Sequence, residues 1–235
     1  MILRINWITF PNTLEKVIRY AAVNIKGTIF YKSVQILAYA DDIDIIGRTQ
    51  SAMIETFTSL ETAARSMNLL INQEKTKYKS VTKKSHASYP HYLEVGPYKL
   101  QAVHSFTYLG SDLNCNNDTG AEIQKRILAA NGCFYGLGNH LRSHLTSKNT
   151  KILMYKVRIR PVLTYASETL SVSKANEWRL SLFERNGIRC IFGAKQEKEI
   201  WRKFYNSELY EIFNDSNIVN YIKDKRLIWA GYLMC

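Results

Sequence analysis

Val34-Gln35-Ile36-Leu37-Ala38-Tyr39-Ala40-Asp41-Asp42-Ile43-Asp44-Ile45-Ile46-Gly47 is the stretch whose reading decides the fold. An apolar run leads into two adjacent carboxylates, and a second apolar run leaves them. Thr28 to Ala38 is rich in β-branched and aromatic side chains (Ile29, Phe30, Tyr31, Val34, Ile36) and reads as a strand, with Ile43 to Ile46 as another. Tyr39-Ala40-Asp41-Asp42 then falls at the tip of a hairpin. Adjacent carboxylates repel each other unless a cation lies beside them. A hard divalent ion such as Mg²⁺ meets that need, because it takes one or two carboxylates and fills its shell with water and phosphate oxygens. Two such ions suit an in-line displacement at a phosphoryl group. On its own an Asp-Asp dipeptide is an ordinary polar turn. The apolar strands on either side supply the rigid footing a preorganised site requires. Asp44 either supports the pair or is a strand-end surface residue.

Upstream of the hairpin, Leu14, Val17, Ile18, Ala21, Ala22 and Ile25 recur at helical spacing. They predict an amphipathic helix over 12–25, capped by Asn12 or Thr13 and ended by Gly27. Downstream, Met53, Phe57, Leu60, Ala64 and Met67 form the buried stripe of a helix at 51–67. Leu69 to Val81 is predicted as a strand, 83–90 as a loop, and Tyr92 to Val103 as a hairpin turning at Gly96-Pro97. Phe106 to Leu113 is predicted as one more strand. After residue 114 the pattern turns helical. Ile123, Ile127, Ala130, Phe134, Leu137, Leu141 and Leu145 are spaced for one long helix, weakened by Gly132, Gly136 and Gly138. Helical segments continue to about 193, with Pro161 kinking or dividing one of them. The tail from 196 is aromatic and charged together. The fold class is therefore α+β: an antiparallel sheet carrying the hairpin, followed by an all-helical part.

The 235 residues carry a net charge of +12, which favours a polyanionic partner. The basic residues cluster. No acid lies between Glu122 and Glu168, where Lys125, Arg126, Arg142, Lys148, Lys151, Lys156, Arg158 and Arg160 fall. None lies between Glu74 and Glu94, where Lys75, Lys77, Lys79, Lys83 and Lys84 fall. Taken singly these are solvated faces; the two stretches together favour nucleic-acid contact. No apolar run reaches the roughly 18 to 20 residues of a spanning helix, so no membrane is expected. Arg4 and Asn6 break Met1 to Trp7 as a signal-peptide core. Cys115, Cys133, Cys190 and Cys235 are too far apart for a Cys-x-x-Cys knuckle, and the reading is of a reduced intracellular protein, nuclear or cytoplasmic. His140 and His144 have a spacing that can bind zinc on a helix, but without the glutamate of the protease pattern.

Val34 to Gly47 resembles the YxDD hairpin of reverse transcriptases, most closely those of non-LTR (LINE-type) retrotransposons. Leu14-Glu15-Lys16-Val17-Ile18-Arg19 looks like the helix preceding that strand. Asn72-Gln73-Glu74-Lys75-Thr76-Lys77 is similar to the motif that follows it, whose lysine lies near the incoming triphosphate. Phe106-Thr107-Tyr108-Leu109-Gly110 resembles the primer grip, although Phe106, Tyr108 and Leu109 also suit plain core packing. Ile123 to Gly193, including Pro161-Val162-Leu163-Thr164-Tyr165-Ala166-Ser167-Glu168-Thr169, resembles the thumb. Trp201 and Arg226-Leu227-Ile228-Trp229-Ala230-Gly231 are similar to the segment after it.

The resemblance implies a partial polymerase palm over 1–113, a helical thumb over 114–194 and a helical connector over 195–235. It assigns catalysis to Asp41, Asp42 and Lys75, with Lys75 a phosphate contact or general acid, unless it is simply a solvated lysine. Asp41 and Asp42 would hold Mg²⁺ in a complete active site. Tyr39, Phe106, Tyr108, Leu109, Gly110, Lys125, Arg126, Arg142, Lys148 and Lys151 would contact an RNA template and DNA primer duplex, with dNTPs as the small-molecule substrates. Palms of the family need a further aspartate on a strand well upstream of the turn. The 38 residues before Tyr39 contain no aspartate, and their one carboxylate, Glu15, sits in the amphipathic helix. The expectation is a fragment that does not polymerise alone; the alternatives are a non-catalytic RNA/DNA-binding protein and a retroelement relic.

Overall fold

The computed structural model describes residues 1–7, 14–21, 23, 34–40, 42–80, 91–114 and 118–234. They form two compact units, Met1–Asn117 and Asp118–Cys235.

The first unit begins with a strand, β1 (Ile2–Asn6), in which Leu3 and Ile5 are fully buried while Arg4 and Asn6 face the other way. It runs through the middle of a six-stranded sheet. The other strands are β2 (Gln35–Tyr39), β3 (Asp42–Ile46), β4 (Lys77–Lys79), β5 (Tyr92–Val95) and β6 (Tyr98–Ala102), in the order β2-β3-β1-β4-β6-β5. Neighbours are antiparallel except β4 and β6, which are parallel. Helix α1 (Leu14–Tyr20) contributes Val17 to the core. Helix α2 (Gln50–Ser66) starts at Thr49, whose hydroxyl accepts from the Ala52 amide at 3.3 Å. It lays Met53, Phe57, Leu60 and Ala64 into the same core as Leu3, Ile5, Ile43 and Ile45. Each large aliphatic buried there is worth about 1.5–3 kcal/mol.

Several elements differ from their sequence reading. Only β4 and an isolated bridge between Trp7 and Ile71 occupy the strand predicted over 69–81. Asn72 interrupts it by folding back on itself: its side-chain oxygen accepts from the Lys75 amide at 3.2 Å and its carbonyl from the Thr76 amide at 2.9 Å. The strand predicted over 106–113 is two, β7 (Ser105–Tyr108) and β8 (Ser111–Asn114). They pair antiparallel across a two-residue turn in which Leu109 and Gly110 both have positive φ, 46° and 81°. The hairpin at Gly96 is present, and α2 matches its predicted bounds within a residue. The helix predicted over 12–25 spans Leu14–Tyr20 among the described residues. Most of the strand predicted from 28 and the loop predicted at 83–90 lie outside them.

The second unit is built from α3 (Thr119–Gly136), α4 (Gly138–Arg142), α5 (Lys148–Met154), a π-helical turn at Tyr155–Ile159, α6 (Arg160–Thr164) and a 3₁₀ turn at Ser167–Thr169. Then come α7 (Lys174–Phe192), the hairpin β9 (Lys195–Glu197) and β10 (Ile200–Arg202), α8 (Asn206–Phe213) and α9 (Ile218–Met234). The single long helix predicted to Leu145 breaks at Leu137, between two glycines. His144 lies past the end of α4, so the paired-histidine helix face does not form. Pro161, which lacks an N–H, opens α6 directly after the π turn. Ile123, Leu141, Tyr155, Leu163, Ile188, Leu209, Phe213 and Ile222 form the core. No helix among the described residues is long and apolar enough to cross a membrane.

Glu184 sits at the centre of that core, fully buried. Its carboxylate accepts from the Tyr155 hydroxyl at 3.4 Å, the Tyr210 hydroxyl at 3.2 Å and the Ile218 amide at 2.7 Å. The last satisfies an orphan N–H at the start of α9. Burial pushes its pKa above the ordinary 4.5, against the opposing pull of those donors and Arg160. A carboxyl with a raised folded pKa contributes stability below its unfolded pKa, and that contribution is lost as pH rises through the folded value. The contribution of Glu184 is therefore expected to fall as pH climbs above 4.5. Glu184→Gln, which keeps an acceptor but cannot ionise, should flatten that dependence in denaturant titrations. Identical pH profiles for the two proteins would contradict this account. Glu184→Leu leaves three buried donors unmatched and is expected to cost about 3–5 kcal/mol.

Candidate functional site

Cross-strand partners share a face of the sheet, so register determines which side chains meet. β1 and β3 align Arg4 with Asp44 and Asn6 with Asp42, and β2 aligns Tyr39 with Asp42. Tyr39, Asp42, Asp44, Arg4 and Asn6 therefore lie on the face opposite the Leu3–Ile5 core. Asp41 lies outside the described residues. Tyr39 is well exposed at this edge.

Arg4 organises the face. One guanidinium nitrogen pairs with Asp42 Oδ2, and the other donates to the carbonyl of Thr107 in β7. Its Cζ lies 5.8 Å from the Tyr108 ring centroid and 6.0 Å from that of Phe106. The Asn6 side-chain amide donates to Asp42 Oδ1 at 3.3 Å, so both oxygens of Asp42 carry donors. Asp44 is 2% exposed and has one oxygen, Oδ1, without a hydrogen-bond partner among the described residues. This corrects the surface reading of Asp44. Burial pushes its pKa up to about 6, with Arg4 opposing and Asp42 adding to the shift. Burial and the charges of Asp44 and Asp42 likewise raise the Tyr108 phenol. Lys79, nearly inaccessible on β4, places its Nζ 5.4 Å from the Phe106 ring centroid.

Of the expected primer-contacting residues, Phe106 is buried and Tyr108 half-buried, while Leu109 and Gly110 form the exposed turn. Lys75 is exposed on the Asn72 turn, which is stapled to the end of β1 next to Asp42. There the Asn72 amide donates to the Asn6 carbonyl at 2.9 Å, and the fully buried Thr76 hydroxyl donates to the Asn72 carbonyl at 2.7 Å. The structure thus brings Asp42, the Lys75 turn and the Phe106–Gly110 hairpin to one end and face of one sheet. Sequence reading missed Arg4 and Asn6; their signal is the alternation Leu3-Arg4-Ile5-Asn6-Trp7, too short to stand out.

The donor set at Asp42 does not fit a metal centre. Both its oxygens are engaged by neutral or cationic donors, and among the described residues no three His, Cys, Asp or Glu are grouped to hold an ion.

In the second unit, Lys125, Arg142 and Lys148 are exposed. Arg126 and Lys151 are not: they are 6% and 8% exposed. Arg126 pairs with Glu122 one helical turn back at 2.7 Å and also donates to the Tyr165 carbonyl. These two are corrected from surface candidates to interior residues. Arg142 also lines a cleft of about 530 Å³ between α3 and α7, with Arg179, Gln124 and Phe134.

Residues 7–113 match the family described as reverse transcriptase (RNA-dependent DNA polymerase). Over 201 residues the chain is 25% identical to a transposon-derived protein of Caenorhabditis elegans, covering 84% of this chain and 70% of that protein. The chain is thus similar to reverse transcriptases in its first unit and, over most of its length, to a protein of transposon descent.

Thr76 joins the Lys75 turn to β1, since its hydroxyl also accepts from the Asn6 amide at 3.4 Å. Thr76→Val is expected to cost about 1–2 kcal/mol. It should also speed hydrogen exchange at the Asn6 amide relative to the neighbouring β1 amides. Unchanged exchange at Asn6 would mean that the turn is held by other contacts.

Proposed function

We propose that the chain is of LINE-type reverse transcriptase descent, with partial palm over 1–113, thumb over 114–194 and connector over 195–235. Its working property is binding an RNA template and DNA primer duplex. It does not transfer nucleotides by itself. The observation that carries the lineage is the Tyr39–Asp42 partnership across β2 and β3, inside the matched segment. Asp41 and Asp42 are the lineage's metal carboxylates, which hold Mg²⁺ in a complete active site. Lys75 stands where the triphosphate would lie, and Tyr39, Tyr108, Leu109 and Gly110 lie towards the primer. Inactivity is inferred from Asp42, whose two oxygens are held by Arg4 and Asn6. Duplex binding is inferred from Lys125, Arg142 and Lys148, exposed in a stretch without acids.

Fluorescence anisotropy with a labelled RNA–DNA duplex tests the binding. Affinity should fall linearly with salt on logarithmic axes, by about 0.9 per phosphate contacted. Replacing Lys125, Arg142 and Lys148 by glutamate should reduce that slope by about 2 to 3. Absent or salt-insensitive binding overturns the reading. On a primed RNA template with dNTPs and Mg²⁺ no extension is expected. Extension that Asp41→Ala abolishes would overturn the inactivity.

A further inference from the structure

We propose that Arg4 is the resident counter-cation of Asp42, holding in place of a divalent ion the charge that the carboxylate-bearing strands require. This inference rests on the reading of Asp42 as the lineage's metal carboxylate. Three observations carry it. First, Asp42 is engaged at both oxygens, Oδ2 by Arg4 and Oδ1 by Asn6 at 3.3 Å. A metal would have to bind beside both donors, and one of them is a cation that would repel it. Second, the guanidinium is held on every side. It bonds the Thr107 carbonyl, lies within 6.0 Å of two ring centroids, and has only 19% of its side chain accessible. Third, among the described residues the charges facing this point from the packed strands are Asp42 and Asp44 from β3 and Lys77 and Lys79 from β4. The carboxylates are thus matched by fixed cations of the sheet itself. An arginine cannot lose its proton within the range where proteins fold, so this counter-charge is neither exchangeable nor titratable.

The consequence is a carboxylate closed to metal. Asp42 anchors Arg4, and Arg4 ties β1, β3 and β7 together, segments separated by as many as 103 positions.

The test is Mn²⁺ uptake by the full chain, followed as loss of the free-ion signal in electron paramagnetic resonance. Wild type is expected to take up no Mn²⁺ that depends on Asp42, so Asp42→Asn leaves its titration unchanged. Arg4→Gln, which keeps a donor but removes the charge, should bind Mn²⁺ at least about tenfold more tightly than wild type, a change of about 1.4 kcal/mol. Adding Asp42→Asn to it should abolish the gain. Two results overturn the proposal: Mn²⁺ binding by wild type that Asp42→Asn removes, or an Arg4→Gln protein that folds and gains nothing. If Arg4→Gln does not fold, the wild-type and Asp42→Asn titrations decide alone. Duplex binding by anisotropy is read separately, so loss of the lineage reading and loss of this one remain distinct.

Discussion

The first unit depends on a charge balance at the centre of its sheet. β3 carries Asp42 and Asp44 on one face, and β1, its neighbour, presents Arg4 and Asn6 to them. Two carboxylates on alternate positions of a strand, one of them buried, oppose the packing that buries Ile43 and Ile45 on the other side. The sheet can have that core only if something positive lies on the polar face. Arg4 meets the requirement from the adjacent strand, and Phe106 and Tyr108 close over it. The hydrophobic face and the polar face are thus fixed by a single register: slipping β1 by one residue would turn Arg4 into the core and Leu3 towards the carboxylates.

Much of this was legible in the sequence where signals are local. The pairing of β2 with β3 follows from two apolar runs around a polar stretch, and α2 follows from its stripe and Thr49 cap. The failures are non-local or very short. β1 has too few residues for its alternation to be told from an irregular terminus. Asp44 looks like a strand-end surface residue because what surrounds it is distant in sequence: its charge bears on Tyr108, far along the chain. Leu109-Gly110 was read through as strand because leucine rarely occupies positive φ; only the glycine hinted at a turn. Arg126 was counted with its basic neighbours, although Glu122, one turn earlier, was the available clue to an internal pair.

The excess of cations was treated as surface, yet several are inside. Arg126 and Arg160 are buried, and Arg160 meets Asp215 at 3.1 Å and stacks 4.3 Å from the Tyr221 ring centroid. An acid-free stretch has no acids within itself, but acids from elsewhere in the fold reach it. Asp215 and Glu184 do so here, at the joint of α6, α7 and α9. The field available to a polyanion is therefore set by Lys125, Arg142, Lys148 and their exposed neighbours, and is smaller than the count of basic residues suggests.

Each unit, taken by itself, arrives at the same device: an arginine with carboxylate partners on its edge and aromatic rings on its face. Arg4 has Asp42, Phe106 and Tyr108; Arg160 has Asp215, Phe213 and Tyr221. A guanidinium suits this role because its plane stacks on rings while its in-plane donors bond carboxylates and carbonyls. It is also more weakly hydrated than an ammonium, so burying it costs less. A metal ion holds carboxylates together too, but it keeps open positions for water and phosphate, and those positions are what chemistry uses. A guanidinium offers none. A sheet that balances its carboxylates with arginine gains a fixed, permanently charged joint and gives up the exchangeable sites through which a substrate could enter.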